Sequence, residues 1–395
     1  MPSRYIKKKG QKALFLIRVK HFLVKEHPIE RKKMKLLSTI FIAISIAISG
    51  SAFADDPKDK VKAGFIYVGP TGEHGWTYRH DIGRQDVEKH FGDRVETTFV
   101  ESVKYGPDAT RVMRQMAMKG IDIIFATSFG YMDSMLKVAE EFPNVKFEHA
   151  TGYKTADNMA NYGLKLYQAR HVQGIIAGMM TKTNKICYVA AYPIPEVIRE
   201  INTYYLGAKS VNPDVDIDIV WVMTWYDPGK EADAAKALLS QGCDIIAQHT
   251  DSPAPIQVAE QQGKHGFGQA SDQYRFAPKA QLTATIDNWS PYYIAKVQAV
   301  LDGTWETGTY FGDISECDAT GCAVGMAPFT NMPDDVRAKA EEIKAAITAG
   351  EYFAFTGPLK DNSGKLRLAD GEIADRAHLD TMNYYVEGID ATVPD

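Results

Sequence analysis

Gly72-Glu-His-Gly-Trp-Thr77 and Trp221-Val-Met-Thr-Trp-Tyr-Asp-Pro-Gly229 are loops at matching positions in the two halves of this 395-residue chain. Each loop follows a short apolar run, carries a tryptophan and leads into a stretch with helical periodicity. In an open α/β sheet, ligands bind where the carboxyl end of a strand meets the next helix. The two loops therefore predict two α/β units with facing binding edges.

Short apolar runs alternate with amphipathic stretches along both halves, which is the pattern of parallel sheets with crossover helices. The predicted strands are Ala63–Val68, Val95–Val100, Ile121–Ala126 and Val145–His149, then Ile186–Ala191, Ile217–Trp221, Ile245–Gln248, Gly266–Gln269 and Gln281–Ile286. The predicted helices are Tyr78–Phe91, Asp108–Met118, Met132–Glu141 and Ala169–Met180, then Pro195–Val211, Gly229–Gln241, Ala254–Gly263, Trp289–Leu301 and Pro333–Ala349, with a hairpin over Pro358–Leu366. No low-complexity linker separates the halves, so we expect two lobes joined by several short crossings.

The first 54 residues have the features of an export signal. A basic start at Met34-Lys35 precedes an apolar run over 36–48, and Ala52-Phe-Ala54 is a small-residue cleavage site. The run is too short for a membrane span of about 20 residues. We predict a leader and signal peptide over residues 1–54, with Met34 as the start and a long basic leader as the alternative. The residue directly after the cleavage site is Asp55 and not a cysteine, so we expect export to the periplasm without a lipid anchor.

The predicted mature chain, residues 55–395, is strongly acidic. Removing the leader's 12 Lys and Arg and its 2 Asp and Glu from totals of 45 and 50 leaves 33 and 48, a formal charge of −15. Such a surface disfavours nucleic acid and anionic lipid as partners. The remaining 341 residues are enough for two domains of ordinary size.

The chain contains four cysteines. Cys317 and Cys322 flank Asp-Ala-Thr-Gly, and they are close enough to form a small disulfide loop in an oxidising compartment. Cys187 and Cys243 begin strand-like runs, and each is predicted to be a small buried apolar residue. No Cys-x-x-Cys pair occurs, so a zinc ribbon or a thioredoxin-like redox role has no support.

The sequence motifs of common enzymes are missing. Gly69-x-x-Gly72-x-x-Gly75 lacks the basic residue of a phosphate-binding loop, and no G-x-S-x-G nucleophile elbow occurs. The histidines show no H-E-x-x-H or other metal-ligand spacing. We therefore predict no catalytic residues, no metal and no cofactor.

Aromatic side chains and carboxylates follow the predicted strands. Trp76, Phe129 and Trp225 each come after one strand, and Asp251 and Asp272 follow two others. Aromatic rings stack on a flat base, which is worth about 1–3 kcal/mol per base. A buried carboxylate accepts hydrogen bonds from amine and ring N–H groups. These residues predict a slot for an amine-bearing heterocycle such as a purine. In the alternative interpretation the tryptophans anchor loops on the core and the aspartates cap helices.

Seven motifs, read together, resemble one known family. They are Gly75-Trp-Thr77, Thr127-Ser-Phe-Gly130, His149-Ala-Thr-Gly-Tyr-Lys-Thr-Ala-Asp-Asn158, Pro193-Ile-Pro-Glu-Val-Ile-Arg199, Trp225-Tyr-Asp-Pro-Gly-Lys230, Gln248-His-Thr-Asp-Ser-Pro253 and Gly268-Gln-Ala-Ser-Asp-Gln273. Between Lys62 and Lys365 the chain resembles the basic membrane protein (BMP) group of ABC-transporter substrate-binding proteins, whose best-understood members bind purine nucleosides. The resemblance implies the type I periplasmic-binding-protein fold, with two Rossmann-like lobes joined by three hinge crossings. The expected lobes are residues 55–182 with 285–325 and residues 183–284 with 326–395.

The resemblance also implies site residues. Trp76 and Trp225 stand where the family has stacking phenylalanines, and Asp272 matches the acid of its G-x-D-x-D-Q run. The nucleoside binders carry a lysine, implied to contact ribose, where this chain has Asp287-Asn288-Trp289. The missing cation and the added Trp289 imply a smaller pocket, narrowed by Asn288 or Trp289. We therefore expect a free base, adenine or a related aminopurine, rather than adenosine.

The resulting hypothesis is a periplasmic receptor that closes about its hinges on a free purine base. It would deliver that base to an ABC permease in the inner membrane and act as a monomer. A purine nucleoside or another nitrogen heterocycle is the alternative ligand. A sensory subunit that presents ligand to a membrane kinase, or a secreted enzyme such as a nucleoside hydrolase, is the alternative class.

Overall fold

The structure, a computed structural model, describes residues 56–72 and 74–394. The predicted leader and signal peptide over residues 1–54 lie outside these described residues. Within the described residues, no helix is both long enough and apolar enough to cross a membrane.

Strands and helices alternate as the periodicity predicts. In chain order the strands are β1 (Val61–Ile66), β2 (Val95–Val100), β3 (Ile123–Ala126), β4 (Lys146–Ala150), β5 (Met159–Leu164), β6 (Lys185–Ala190), β7 (Asp216–Trp221), β8 (Ile245–His249), β9 (His265–Gly268), β10 (Gln281–Asp287), β11 (Thr309–Gly312), β12 (Cys317–Asp318), β13 (Gly321–Cys322), β14 (Val324–Met326), β15 (Leu359–Lys360) and β16 (Leu366–Leu368). The α-helices are α1 (Trp76–Phe91), α2 (Pro107–Met118), α3 (Met132–Glu141), α4 (Tyr167–Met180), α5 (Pro195–Val211), α6 (Pro228–Ser240), α7 (Ala254–Gln261), α8 (Ser290–Leu301), α9 (Asp334–Thr348) and α10 (Arg376–Asp380). The predicted hairpin near the end of the chain is present as the antiparallel pair β15–β16.

Two six-stranded sheets organise these elements. The first has the order β11-β5-β4-β3-β1-β2, and all of its pairs are parallel. The second has the order β14-β10-β9-β8-β6-β7 and is parallel except for the pair β10–β14. The chain passes between the sheets three times, after β5, after β10 and after β11. The predicted α/β fold with two lobes and three crossings is confirmed.

Local sequence accounts for many of these elements. Strands of a parallel sheet are apolar along their whole length because helices cover both faces, and five of the six residues of β1 are buried. Helix α6 begins where turn chemistry predicts. The Asp227 side chain accepts a hydrogen bond from the Lys230 N–H at 3.1 Å, and Pro228 occupies the first turn.

Strand β5 was not predicted, and the Gly174–Gly178 spacing predicted close packing of helix α4 without naming its partner. β5 contains Asn161 and Gly163, which have low strand propensity, although all six of its residues are buried. Helix α4 packs on α5, and a Cβ on Gly178 would lie only 2.5 Å from the Ala208 carbonyl oxygen. The predicted lobe ranges stay a prediction, and these contacts with α5 favour a first crossing near residue 165 rather than 182.

The cysteines differ from the sequence prediction at one pair. Cys317 and Cys322 form the predicted disulfide, which closes the small β12–β13 ribbon. Cys187 and Cys243 are buried as predicted but also form a disulfide, so the prediction of two unpaired thiols is wrong. The bond joins the start of β6 to the segment that leads into the neighbouring strand β8. Spacing along the chain cannot reveal this pairing, because 56 residues separate the two sulfurs in sequence.

Candidate functional site

A cavity of about 320 Å³, part of it open to solvent, lies where the carboxyl ends of the two sheets face each other. Its walls come from the loops after β1, β3 and β4 of the first lobe and after β6, β7 and β8 of the second. The lining residues are Val68, Trp76, Ser128, Phe129, Thr151, Ile194, Glu196, Trp225, His249 and Asp251. Every one of these loops follows a strand, as expected for a ligand site in an open α/β sheet.

Trp76 forms the wall of the first lobe and is held from several sides. Its side chain is only 8% exposed, and its ring N–H donates to the Thr127 carbonyl at 2.6 Å. The rings of His80 and Trp289 meet it edge-on, with centroid distances of 4.6 and 5.2 Å. Those two rings stack on each other at 4.4 Å. Phe129, which is half-buried, extends this wall towards Tyr153.

Trp225 forms the facing wall in the second lobe and has fewer supports. It is half-buried, and its ring lies 5.3 Å from that of Tyr192. Its ring N–H donates to the Tyr105 hydroxyl at 2.6 Å, and that hydroxyl lies 2.7 Å from Ser128 Oγ. Burial raises the pKa of Tyr105 to about 12, so the hydroxyl is neutral. Tyr105 belongs to the first lobe, so this hydrogen bond crosses the cleft.

Asp251 brings a buried carboxyl to the cavity and also joins the lobes. Its Oδ1 accepts from the Trp76 backbone N–H at 3.3 Å, and its own N–H donates to the Trp225 carbonyl at 2.9 Å. Its Oδ2 is buried and has no partner among the described residues. Burial, with the nearby Glu231, raises the pKa of Asp251 well above its usual value. Gly75 permits this contact, since a Cβ there would lie 2.5 Å from the Asp251 carbonyl oxygen.

Glu196 and His249 line the same cavity and were missed as site residues, although both lie inside motifs quoted above. Glu196 is in the first turn of α5 and His249 ends β8. His249 lies 3.7 Å from a Glu196 oxygen and 3.3 Å from a Glu200 oxygen. A glutamate six residues after β6, beside the proline that starts a helix, was the available signal. Neither Glu196 nor His249 shows metal-ligand spacing in the sequence.

The Glu196, Glu200 and His249 group belongs to an ion-pair network. Its donor atoms lie within 4.8 Å of one another, which is close enough to hold a metal ion. However, Arg170 lies 3.2 Å from Glu200, and Arg199 lies 3.7 Å from Glu196. Two guanidinium groups already lie beside the two glutamates, and a buried divalent cation would be repelled by both. We therefore assign the group to ion pairing rather than to metal binding.

Three of the seven predicted site residues do not line the cavity. Asp272 is exposed, and its Oδ1 accepts from the Tyr274 N–H and the Gln281 amide at 3.0 and 2.7 Å, so it caps a turn. Asn288 is buried and donates to Thr320. Trp289 is 1% exposed and lies behind Trp76, where it braces the wall instead of narrowing the slot. The other four, Trp76, Phe129, Trp225 and Asp251, line the cavity, and their contact with a ligand stays a prediction.

The fold is thus two α/β lobes with a cavity between the carboxyl ends of their sheets. A solved ABC transporter solute-binding protein from Aeropyrum pernix K1 superposes with a TM-score of 0.63 over 76% of this chain and 93% of that one, at 18% identity. The family model described as ABC transporter substrate-binding protein PnrA-like (Bmp) matches residues 60–326. The chain belongs to this family, which confirms the resemblance stated from the motifs.

Two relatives align over most of the chain. A purine-binding protein of Brucella abortus (strain 2308) is 53% identical over 347 residues, which is 88% of this chain and 97% of that protein. A Haloferax volcanii protein, provisionally named an ABC transporter glucose-binding protein, is 36% identical over 85% of this chain and 82% of its own length. The family is one of transport proteins and not of enzymes. Its members bind a small molecule outside the cytoplasmic membrane and work with a permease.

Proposed function

We propose that this protein is a periplasmic receptor for a free purine base, adenine or a close relative, and that it supplies an ABC permease as a monomer. One observation carries the proposal. Trp76 and Phe129 from one lobe and Trp225 from the other line a single small cavity, which also contains the buried, half-satisfied carboxyl of Asp251. Flat rings stack on aromatic walls, and a carboxyl oxygen accepts hydrogen bonds from the N–H groups at the rim of an aminopurine.

The unpaired oxygen of Asp251 supports a ligand that can form hydrogen bonds. A buried polar atom without a partner costs about 1–3 kcal/mol. A ligand N–H that reaches Oδ2 removes this cost, whereas an analogue without the donor leaves it in place. The site is therefore expected to reject flat hydrocarbons and to favour nitrogen heterocycles. The name of the 53% identical relative, a purine-binding protein, supports the same ligand class.

The segment 287–289 supports a free base over a nucleoside. Asp287 is fully buried, and burial raises the pKa of its carboxyl well above the usual value. Asn288 and Trp289 are turned into the protein by their contacts with Thr320 and His80. No cation from this segment is available for a ribose. A purine nucleoside remains the second candidate, because the relative's name does not separate base from nucleoside.

Calorimetry on ligand-free protein tests the proposal. The protein is unfolded, dialysed and refolded, and then titrated with adenine, guanine, adenosine and glucose. We expect the tightest binding for adenine and the weakest for glucose. Tightest binding to adenosine moves the assignment to a nucleoside, and tightest binding to glucose overturns the purine assignment. Mass spectrometry of small molecules extracted from the purified protein provides an independent check of the ligand.

A further inference from the structure

Glu196 is a second carboxyl in the cavity that faces the ligand space. Its side chain is 6% exposed and lines the cavity together with Asp251 and His249. The charged atoms of Arg199 and His249 each lie 3.7 Å from a Glu196 oxygen, which is beyond hydrogen-bond distance. The Glu196 carboxyl therefore has hydrogen-bonding capacity that a ligand in the cavity can use.

Charged groups on several elements face Glu196. On its own helix these are Arg199 and Glu200; His249 ends β8, and Asp380 of α10 lies 3.7 Å from Arg199. Burial, with Glu200 and Asp380, raises the pKa of Glu196 to about 7, although Arg199 and His249 oppose the shift.

Two further charges lie deeper in the protein. Arg170 of α4 is bound to Glu200, and Asp287 ends β10. For Glu200, the pull of His249 and the two guanidinium groups outweighs burial and lowers its pKa to about 2. The buried network therefore contains one ionised glutamate and one, Glu196, that changes its protonation close to neutral pH.

The protonation of a carboxyl decides which edge of a heterocycle it matches. A neutral carboxyl has an O–H donor beside a C=O acceptor, whereas a carboxylate has two acceptors. Adenine has an exocyclic N–H donor beside a ring-nitrogen acceptor, the edge that Asn and Gln amides read in nucleic acids. A neutral carboxyl matches this edge with two hydrogen bonds. A carboxylate can accept one of them and repels the ring nitrogen.

We propose that Glu196 is a specificity-determining residue of this site. As a neutral carboxyl it forms two hydrogen bonds with a donor–acceptor edge of the base, and it binds the base less tightly when it ionises. The proposal rests on the proposed function and adds a residue and a pH response to it. Arg199 then acts as a positioning residue, because its guanidinium lies 3.7 Å from Glu196 and the residue does not line the cavity. The physiological consequence is a receptor that binds its base more tightly in mildly acidic surroundings.

The test is the affinity for adenine measured by calorimetry across a pH series from about 6 to about 8.5. For the unmodified protein we expect constant affinity below the pKa of about 7 and roughly tenfold weaker binding per pH unit above it. Glu196→Gln carries a permanent donor–acceptor pair, so it should keep the low-pH affinity and show no pH dependence. Glu341→Gln, on an exposed face of α9, is the matched control and should retain the pH dependence of the unmodified protein.

The outcomes separate this inference from the proposed function. A flat pH profile in the unmodified protein overturns the role of Glu196 while leaving purine binding intact. A pH dependence that survives in Glu196→Gln also overturns it, because another group must then titrate. If adenine and the other purines fail to bind at every pH, the proposed function itself falls. Circular dichroism of each variant checks that the fold is unchanged.

Discussion

The two aromatic walls of the cavity differ in how they are held. Trp76 is almost fully buried, bonded to a backbone carbonyl of its own lobe and packed against two further rings. Trp225 is half-buried, and its ring N–H bonds to Tyr105 of the opposite lobe. The first wall is thus part of a folded core, whereas the second takes one of its supports from the opposite lobe. If the lobes close about hinges, as the proposed function expects, the first wall is preformed and the second completes its contacts on closure.

Asp251 is hydrogen-bonded to the backbone of both walls, at Trp76 and at Trp225. It belongs to the second lobe, yet it accepts a hydrogen bond from the backbone at Trp76 and sits against Gly75. This contact between the lobes leaves the buried Oδ2 of Asp251 without a partner, at a cost of about 1–3 kcal/mol that a ligand donor would remove. The difference between the walls and the role of Asp251 lead to four predictions.

Trp76→Ala is expected to have the largest effect, because it removes both a ligand surface and a core side chain. Replacing a buried tryptophan by alanine costs about 3–5 kcal/mol of unfolding free energy. Chemical denaturation should show this loss, and calorimetry should show no measurable adenine binding. Unchanged stability would mean that Trp76 is not braced as a core residue, and the contrast between the walls would disappear.

Asp251→Asn probes the carboxyl that links the walls. A raised folded-state pKa means that the neutral form is stabilised, so stability is present below the unfolded value of about 3.9 and is lost as pH rises. Relative to the Asn variant, the ligand-free protein should lose up to about 1.4 kcal/mol of unfolding free energy per pH unit as the pH rises above the unfolded value of about 3.9 towards the raised folded-state pKa. Denaturation at several pH values measures this difference. Asp233→Asn, at an exposed position, is the control. If the stability of Asp251→Asn and that of the unmodified protein change with pH in the same way, the pKa of Asp251 is not raised.

Trp225→Ala should separate binding from stability. The side chain is half-buried, and its support from the other lobe exists only when the cleft is closed. We expect adenine binding to weaken by about 1–3 kcal/mol, the value of one stacking ring, with little change in unfolding. The same two measurements apply as for Trp76→Ala. A loss of stability equal to that of Trp76→Ala would contradict the distinction between a preformed wall and a closing one.

Tyr105→Phe removes only the hydroxyl that receives the Trp225 N–H. The lost hydrogen bond from Trp225 should weaken adenine binding by about 0.5–1.5 kcal/mol, and the lost contact with Ser128 should lower the unfolding free energy of the ligand-free protein by a similar amount at most. Calorimetry compares it with Tyr274→Phe, where the tyrosine is exposed outside the cavity lining. Equal affinities in the two variants would show that the cross-cleft bond contributes nothing to closure.

Much of the fold followed from sequence because its signals are local. Apolar runs separated by helical periodicity predicted both sheets, and Asp227-Pro-Gly229 predicted the start of α6. β5 was missed because Asn161 and Gly163 have weak strand propensity and only burial between neighbouring strands stabilises them there. Trp76, Phe129, Trp225 and Asp251 each follow a strand, and this position places them at the facing carboxyl ends of the two sheets, where they line one cavity.

The order of strands and helices followed from the amino-acid sequence alone, because hydrophobic periodicity and turn residues act over a few neighbours. The partners of individual side chains were set by packing in three dimensions. Trp289 lies behind Trp76, Asp272 points outwards and caps a turn, and Cys187 forms a disulfide with Cys243. Glu196 and His249, far apart in the chain, came together at the cavity. The direction and partner of a side chain are set by packing between distant segments, and short-range patterns do not contain that information.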